Sequence, residues 1–131
     1  MRYERGSISL VVGALAALAV VAMTLVMDVA HLYAARANLV MAADAAALAA
    51  APVTFASFGT DGNPVHAASA MAAGNGAMLL ECSCEIDRGW APRRVVVTVG
   101  ATVDLVLLGD RSLTAGAAAE FRPVDLGRGE S

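Results

Sequence analysis

Residues 6–27 form a run of 22 positions without a charged side chain, closed by Arg5 on one side and Asp28 on the other. At about 1.5 Å per residue, a helix of that length covers the ~30 Å hydrocarbon core of a bilayer, so the pattern predicts a membrane-spanning helix. An alanine-dominated stretch continues to Ala51 with neither glycine nor proline. Together the two segments predict one helix over residues 7–51, about 67 Å long, with half of it standing outside the lipid as a stalk. Pro52 is expected to end it, because proline lacks an amide proton and disfavours the helical region at the residue before it.

Beyond Pro52 the punctuation changes. Phe58-Gly59-Thr60-Asp61-Gly62-Asn63-Pro64 is rich in turn formers, with Asn63 placed to cap a second helix whose first position is Pro64. That helix is predicted to reach Ala73 and to stop at Gly74-Asn75-Gly76. The period then falls from 3.6 to 2. Met78, Leu80, Cys82, Cys84 and Ile86 occupy one face of a half-buried strand, and Leu79, Glu81, Ser83 and Glu85 the other. After a turn over residues 87–92, the alternation resumes over 94–108 with Val95, Val97, Val99, Ala101, Val103, Leu105 and Leu107 inward, and the β-branched content supports a strand. Gly109-Asp110 turns the chain again. Leu113, Ala115, Ala117, Ala119 and Phe121 then alternate with polar or small residues, a pattern open to a third strand or to an alanine-rich helix.

These elements predict an α+β fold: a long N-terminal transmembrane helix, then a small domain of one short helix and a three-stranded antiparallel sheet whose apolar face a helix would cover. The expected organisation is an N-terminal tail, span and stalk over 1–51, a small extracytoplasmic domain over 52–123 and a disordered tail over 124–131.

The composition is consistent with membrane anchoring: 58% of the 131 residues are hydrophobic and the mean hydropathy is +0.64, with the excess concentrated before Pro52. All nine basic residues are arginine, the net charge is −3, and the arginines are scattered, which argues against a nucleic-acid partner. Arg2, Arg5 and the amino terminus oppose Arg36 alone across the span, so the N-terminus is expected in the cytoplasm and residues 52–131 outside, where thiols can oxidise. A cleaved signal is the competing expectation, since Ala35 and Ala37 offer a signal peptidase small residues. Against it, the apolar run exceeds the 7 to 15 residues of a signal's apolar region.

Candidate chemistry is sparse. The alanines of 41–51 lack the large side chains of an ordinary amphipathic helix. They allow either close approach of a partner helix, through Ala42, Ala43, Ala46, Ala47 and Ala50, or a stiff stalk with only a spacing role. Asp44 has no basic residue three or four positions away and is expected to face solvent. Asp28 with His31 and Tyr33 with Arg36 form (i, i+3) pairs at the outer interface. Cys82 and Cys84 are the candidate disulfide cysteines. A bridge between residues two apart is strained, which leaves free thiols or a bond elsewhere, including to another chain, as the alternatives. With His31 and His66 the only histidines and neither at ligand spacing, no metal is expected, and no nucleotide loop, hydrolase motif or other cofactor signature occurs. No small-molecule substrate and no catalysis are expected.

Glu4-Arg5-Gly6-Ser7, the apolar span, Ala35-Arg36-Ala37 and the run Ala42-Ala43-Asp44-Ala45-Ala46-Ala47-Leu48-Ala49-Ala50-Ala51 resemble the N-terminal signature of TadE/TadG-like proteins of tight-adherence (Flp) pilus assembly. The order of Ala72-Ala73-Gly74-Asn75-Gly76-Ala77, a cysteine, Val95-Val96-Val97-Thr98-Val99 and a closing alanine-rich segment to Arg122-Pro123 resembles small actinobacterial TadE-like proteins encoded near a helicase and a secretion ATPase. The resemblance implies a single-pass, pilin-like accessory component of a pilus or related secretion system, with the bilayer and other pilus or secretion components as partners. An exported protein released from the membrane is the alternative. In two places the chain departs from the pattern. Val65 and His66 stand where the narrower group carries a cysteine in the second helix, and the fifth residue after Gly6 is Val11 where a cleaved pilin carries glutamate.

Overall fold

The computed structural model describes residues 4–55 and 62–123. Most of the turn-rich loop before Asn63 and the tail expected to be disordered lie outside the described residues. Helix α1 (Glu4–Val53) runs 50 residues without interruption, followed by α2 (Pro64–Gly74), β1 (Met78–Ser83), β2 (Arg93–Val103) and β3 (Arg111–Phe121). The three strands form one antiparallel sheet in the order β1-β2-β3. The fold is therefore α+β, with a long apolar helix, a short helix and a three-stranded meander.

Pro52 lies inside the last turn of α1 instead of ending the helix before it. The missing proton costs little there, because the chain is already tightening: the Thr54 and Phe55 amides donate to Ala51 and Pro52 carbonyls at 3.3 and 3.2 Å. Helix α2 follows the predicted signals closely. The Asn63 side chain accepts from the Val65 amide at 2.9 Å with Pro64 at the first position. At the far end Gly76 takes φ +73°, its amide bonds to Ala73 and that of Ala77 to Ala72. This double closure needs the left-handed conformation that glycine adopts freely.

The sheet departs from strict alternation once. Leu79 pairs with Val99 and Glu81 with Thr98, so Leu80 is an extra residue in β1. This bulge reverses the phase of the strand. Leu79, Cys82 and Cys84 consequently face the core, while Met78 and Leu80, expected inward, are exposed. Leu80 lies over Gly100, where an added Cβ would come within 2.8 Å of its side chain. Ile86, also expected inward, is exposed past the end of the strand. β2 ends at Val103, and Leu107, expected inward on an extended strand, is exposed in the following loop. β3 is a strand and not a helix, with Leu113, Ala115, Ala117, Ala119 and Phe121 turned toward the core.

The core is shared by α1, α2 and the sheet. Leu39, Ala42, Ala43, Ala46, Ala47, Ala50 and Ala51 of α1 meet Ala68 and Ala72 of α2 and Val95, Val97 and Val99 of β2 in a single cluster. Residues on both sides of Ala51 thus contribute to one core. The second half of α1 is the central element of the folded domain, not a bare stalk beneath it.

Candidate functional site

No residue from 7 to 27 of α1 is buried in the fold. Leu10, Leu15, Leu18, Val20 and Met23 are all more than half exposed, and α1 is the one helix, among the described residues, long and apolar enough to cross a membrane. Its one threonine is satisfied within the helix. Thr24 donates to the Val20 carbonyl at 2.7 Å, which satisfies the group without water.

Where the apolar run ends, the fold is tied to the helix. Asp28 is 1% exposed. It accepts from the Val106 amide at 2.9 Å through Oδ1 and from the Leu107 and Leu108 amides at 2.7 and 3.3 Å through Oδ2. A carboxylate taking three backbone donors is a charge-assisted cap on the loop between β2 and β3. The expected partner one turn along, His31, is exposed instead. Sequence reasoning missed this contact because its donors are amides some eighty residues away. The available signal was a lone carboxylate ending an apolar run.

Above Asp28 lie the small residues singled out from the sequence. Ala42, Ala43, Ala46, Ala47 and Ala50 are fully buried, and what covers them is α2 and the sheet of the same chain. The absence of side-chain bulk lets those elements approach α1 closely, the use to which membrane helix pairs put small residues. The opposite face of this half remains open, with Tyr33, Val40, Met41, Asp44 and Leu48 exposed. Asp44 faces solvent as expected.

A second tie closes the far end of the domain. The Arg93 guanidinium stacks 4.1 Å from the centre of the Phe55 ring, donates to the carbonyls of Thr54 and Gly89, and lies 3.7 Å from Asp87. Phe55 is fully buried, with its ring centroid 5.3 Å from that of Phe121. The Gly89 and Arg88 amides, with Arg93 behind them, hold the Asp87 carboxyl below the usual carboxylate range. This clamp fastens the C-terminal end of α1 to the start of β2 and was not foreseen. Cys82 and Cys84 lie side by side at the end of β1, their Cα atoms 5.3 Å apart, within the span of a disulfide. Among the described residues, no group of three or more His, Cys, Asp or Glu side chains is placed to hold a metal ion.

The site is thus a helix with an uncovered apolar half, a covered alanine half and a carboxylate tie between them. Residues 6–54, nearly the whole of α1, match the family model described as "Putative Flp pilus-assembly TadE/G-like". The match ends at the foot of the Phe55 clamp. No curated protein and no solved structure matches the chain.

Proposed function

We propose that this protein is a single-pass, pilin-like accessory component of a Tad/Flp-type pilus or related secretion system, working by helix packing and assembly and not by catalysis. The observation that carries the reading is the coincidence of the TadE/G-like match over residues 6–54 with a helix whose first half is apolar and wholly uncovered. A long apolar helix bearing a compact domain at one end is suited to stand in a bilayer and to pack against similar helices. Since the alanines are occupied within the chain, contacts with other pilus or secretion components fall to residues 7–27 and to the open face at Tyr33, Met41 and Leu48. Two arginines before the span against Arg36 beyond it orient the N-terminus to the cytoplasm and the domain outside.

A gene deletion scored for surface filaments and secreted proteins tests the assembly role. The wild-type gene should restore what is lost and Val20→Arg, impaired in insertion, should not; a deletion strain with unchanged filaments and secretion refutes the reading. Labelling of Ser131→Cys by an impermeant reagent in intact cells tests orientation, and labelling only after permeabilisation refutes it.

A second reading, release as a small exported protein, is favoured by the place where burial begins. Apart from Asp28, the buried residues of α1 start at Leu39, so a cut after Ala37 would leave the core cluster whole. Intact mass discriminates: a membrane-bound chain retaining residues 7–37 supports assembly, and a soluble chain beginning at Asn38 supports release.

A further inference from the structure

The loop that Asp28 holds is apolar and exposed. Leu105-Val106-Leu107-Leu108 joins β2 to β3, and while Leu105 is buried, Val106, Leu107 and Leu108 are 79%, 49% and 40% exposed. Three large apolar side chains in a row at a loop tip are unfavourable in water. They are also fixed to the residue that immediately follows the 22-residue apolar run of α1, so the patch is continuous in level with the edge of the span.

The backbone of this loop has an unusual property. The Leu105 amide donates to the Gly109 carbonyl at 3.3 Å and the Gly109 amide returns to Leu105 at 3.1 Å. The amides of Val106, Leu107 and Leu108 all go to Asp28. Five consecutive N–H groups are therefore satisfied within the protein. Irregular backbone is excluded from the apolar part of a membrane mainly because its amides would lose water without a substitute. Here a buried carboxylate supplies the substitute, and Gly109, at φ +68°, closes the turn. Exposed Asp104, Asp110 and Arg111 flank the loop and would keep its base in the headgroup region.

We infer that the tip of the β2–β3 hairpin is a second membrane contact, with Val106, Leu107 and Leu108 inserted into the interfacial region of the outer leaflet beside the span. The occupant of this patch is lipid. Asp28 is the positioning residue, acting through the loop amides, and the domain is held at two points so that it rests on the bilayer surface. The inference depends on residues 6–27 crossing the membrane, and the test separates the two claims.

The full chain is reconstituted into phosphatidylcholine and phosphatidylglycerol vesicles carrying lipids brominated at shallow or deep acyl positions. A bimane fluorophore is placed singly at Leu107→Cys, at Val20→Cys in the span or at Ala91→Cys in the β1–β2 connection, with the unsubstituted chain treated identically as blank. Deep bromines should quench the label at 20. Shallow bromines should quench most of the emission at 107 and almost none at 91, with iodide in the buffer reaching 91 and not 107. Quenching at 20 with a label at 107 that iodide reaches and bromines do not overturns the hairpin contact while leaving the span intact, and is also the outcome if the patch serves a protein partner. Absence of lipid quenching at 20 overturns the span and the hairpin contact with it. Because the label sits on an exposed side chain, none of these outcomes requires a change to the packed core.

Discussion

Residues 7–27 and 39–51 belong to one uninterrupted helix and both are apolar, yet none of the first is buried and the second is the middle of the core. Side-chain size separates them. Leucine, valine and methionine make up eleven of the 21 residues of the first half, and their bulk suits lipid acyl chains that can conform to it. On the second half's packed face only Leu39 is large, and the remaining buried positions are alanine. A packed α2 and a sheet cannot conform, so the helix must offer a smooth surface for them to approach. The volume left for a neighbour at each position distinguishes the two halves.

Substitutions that exchange the character of the halves should break the comparison with graded force. The largest effect is expected opposite the alanine half: Val97 is fully buried against it, and Val97→Asp would strand an unpaired carboxylate, costing more than about 3 kcal/mol. Thr98→Asp, on the other face, should change little. Limited proteolysis of the detergent-solubilised chain measures the difference, and equal sensitivity of the two variants would contradict the register.

Next comes the uncovered half. Val20→Arg puts a charge near the centre of the span at about 2.5 to 3.5 kcal/mol on the insertion scale, so the fraction resisting alkaline extraction should fall while the domain, if inserted, keeps its protease resistance. Wild-type extraction would mean that this half does not span.

Ala46→Leu probes the packed half with a residue that barely alters helix propensity. Ala46 has no exposed surface, so overpacking should cost roughly 1 to 3 kcal/mol and lower the thermal midpoint in detergent. An unchanged midpoint would show that α2 and the sheet do not approach α1 as closely as the structure has them. The smallest effect is expected at Leu48, two residues along on the open face of the helix. Leu48→Ala should move stability by less than about 0.5 kcal/mol. A larger loss in the free protein would point to packing on the open face of the helix.

Much of this architecture is legible from local chemistry. The span follows from length and the absence of charge, α2 from Asn63, Pro64 and the glycine-flanked Asn75, and β3 from alternation of small residues, although alanine left a helix open there until pairing with β2 decided it. The phase error in β1 has a specific cause. One extra residue, Leu80, shifts the face of everything before it, and nothing in Met78-Leu79-Leu80 marks which leucine is extra until Gly100 on the neighbouring strand makes room for it.

By itself, then, the sequence determined that there is a membrane-length apolar helix, the order of the helices and strands, and that alanines replace bulk beyond the apolar run. Each of these depends on neighbours within a few turns or on hydrophobic period, which a single chain displays directly. Only the tertiary structure decided what the alanines pack against, that Asp28 caps a loop 78 to 80 residues away and that Arg93 clamps Phe55 at the other end. Those contacts join partners through backbone amides and ring faces, groups that every residue or many residues carry, so no local pattern names the partner before the chain has folded.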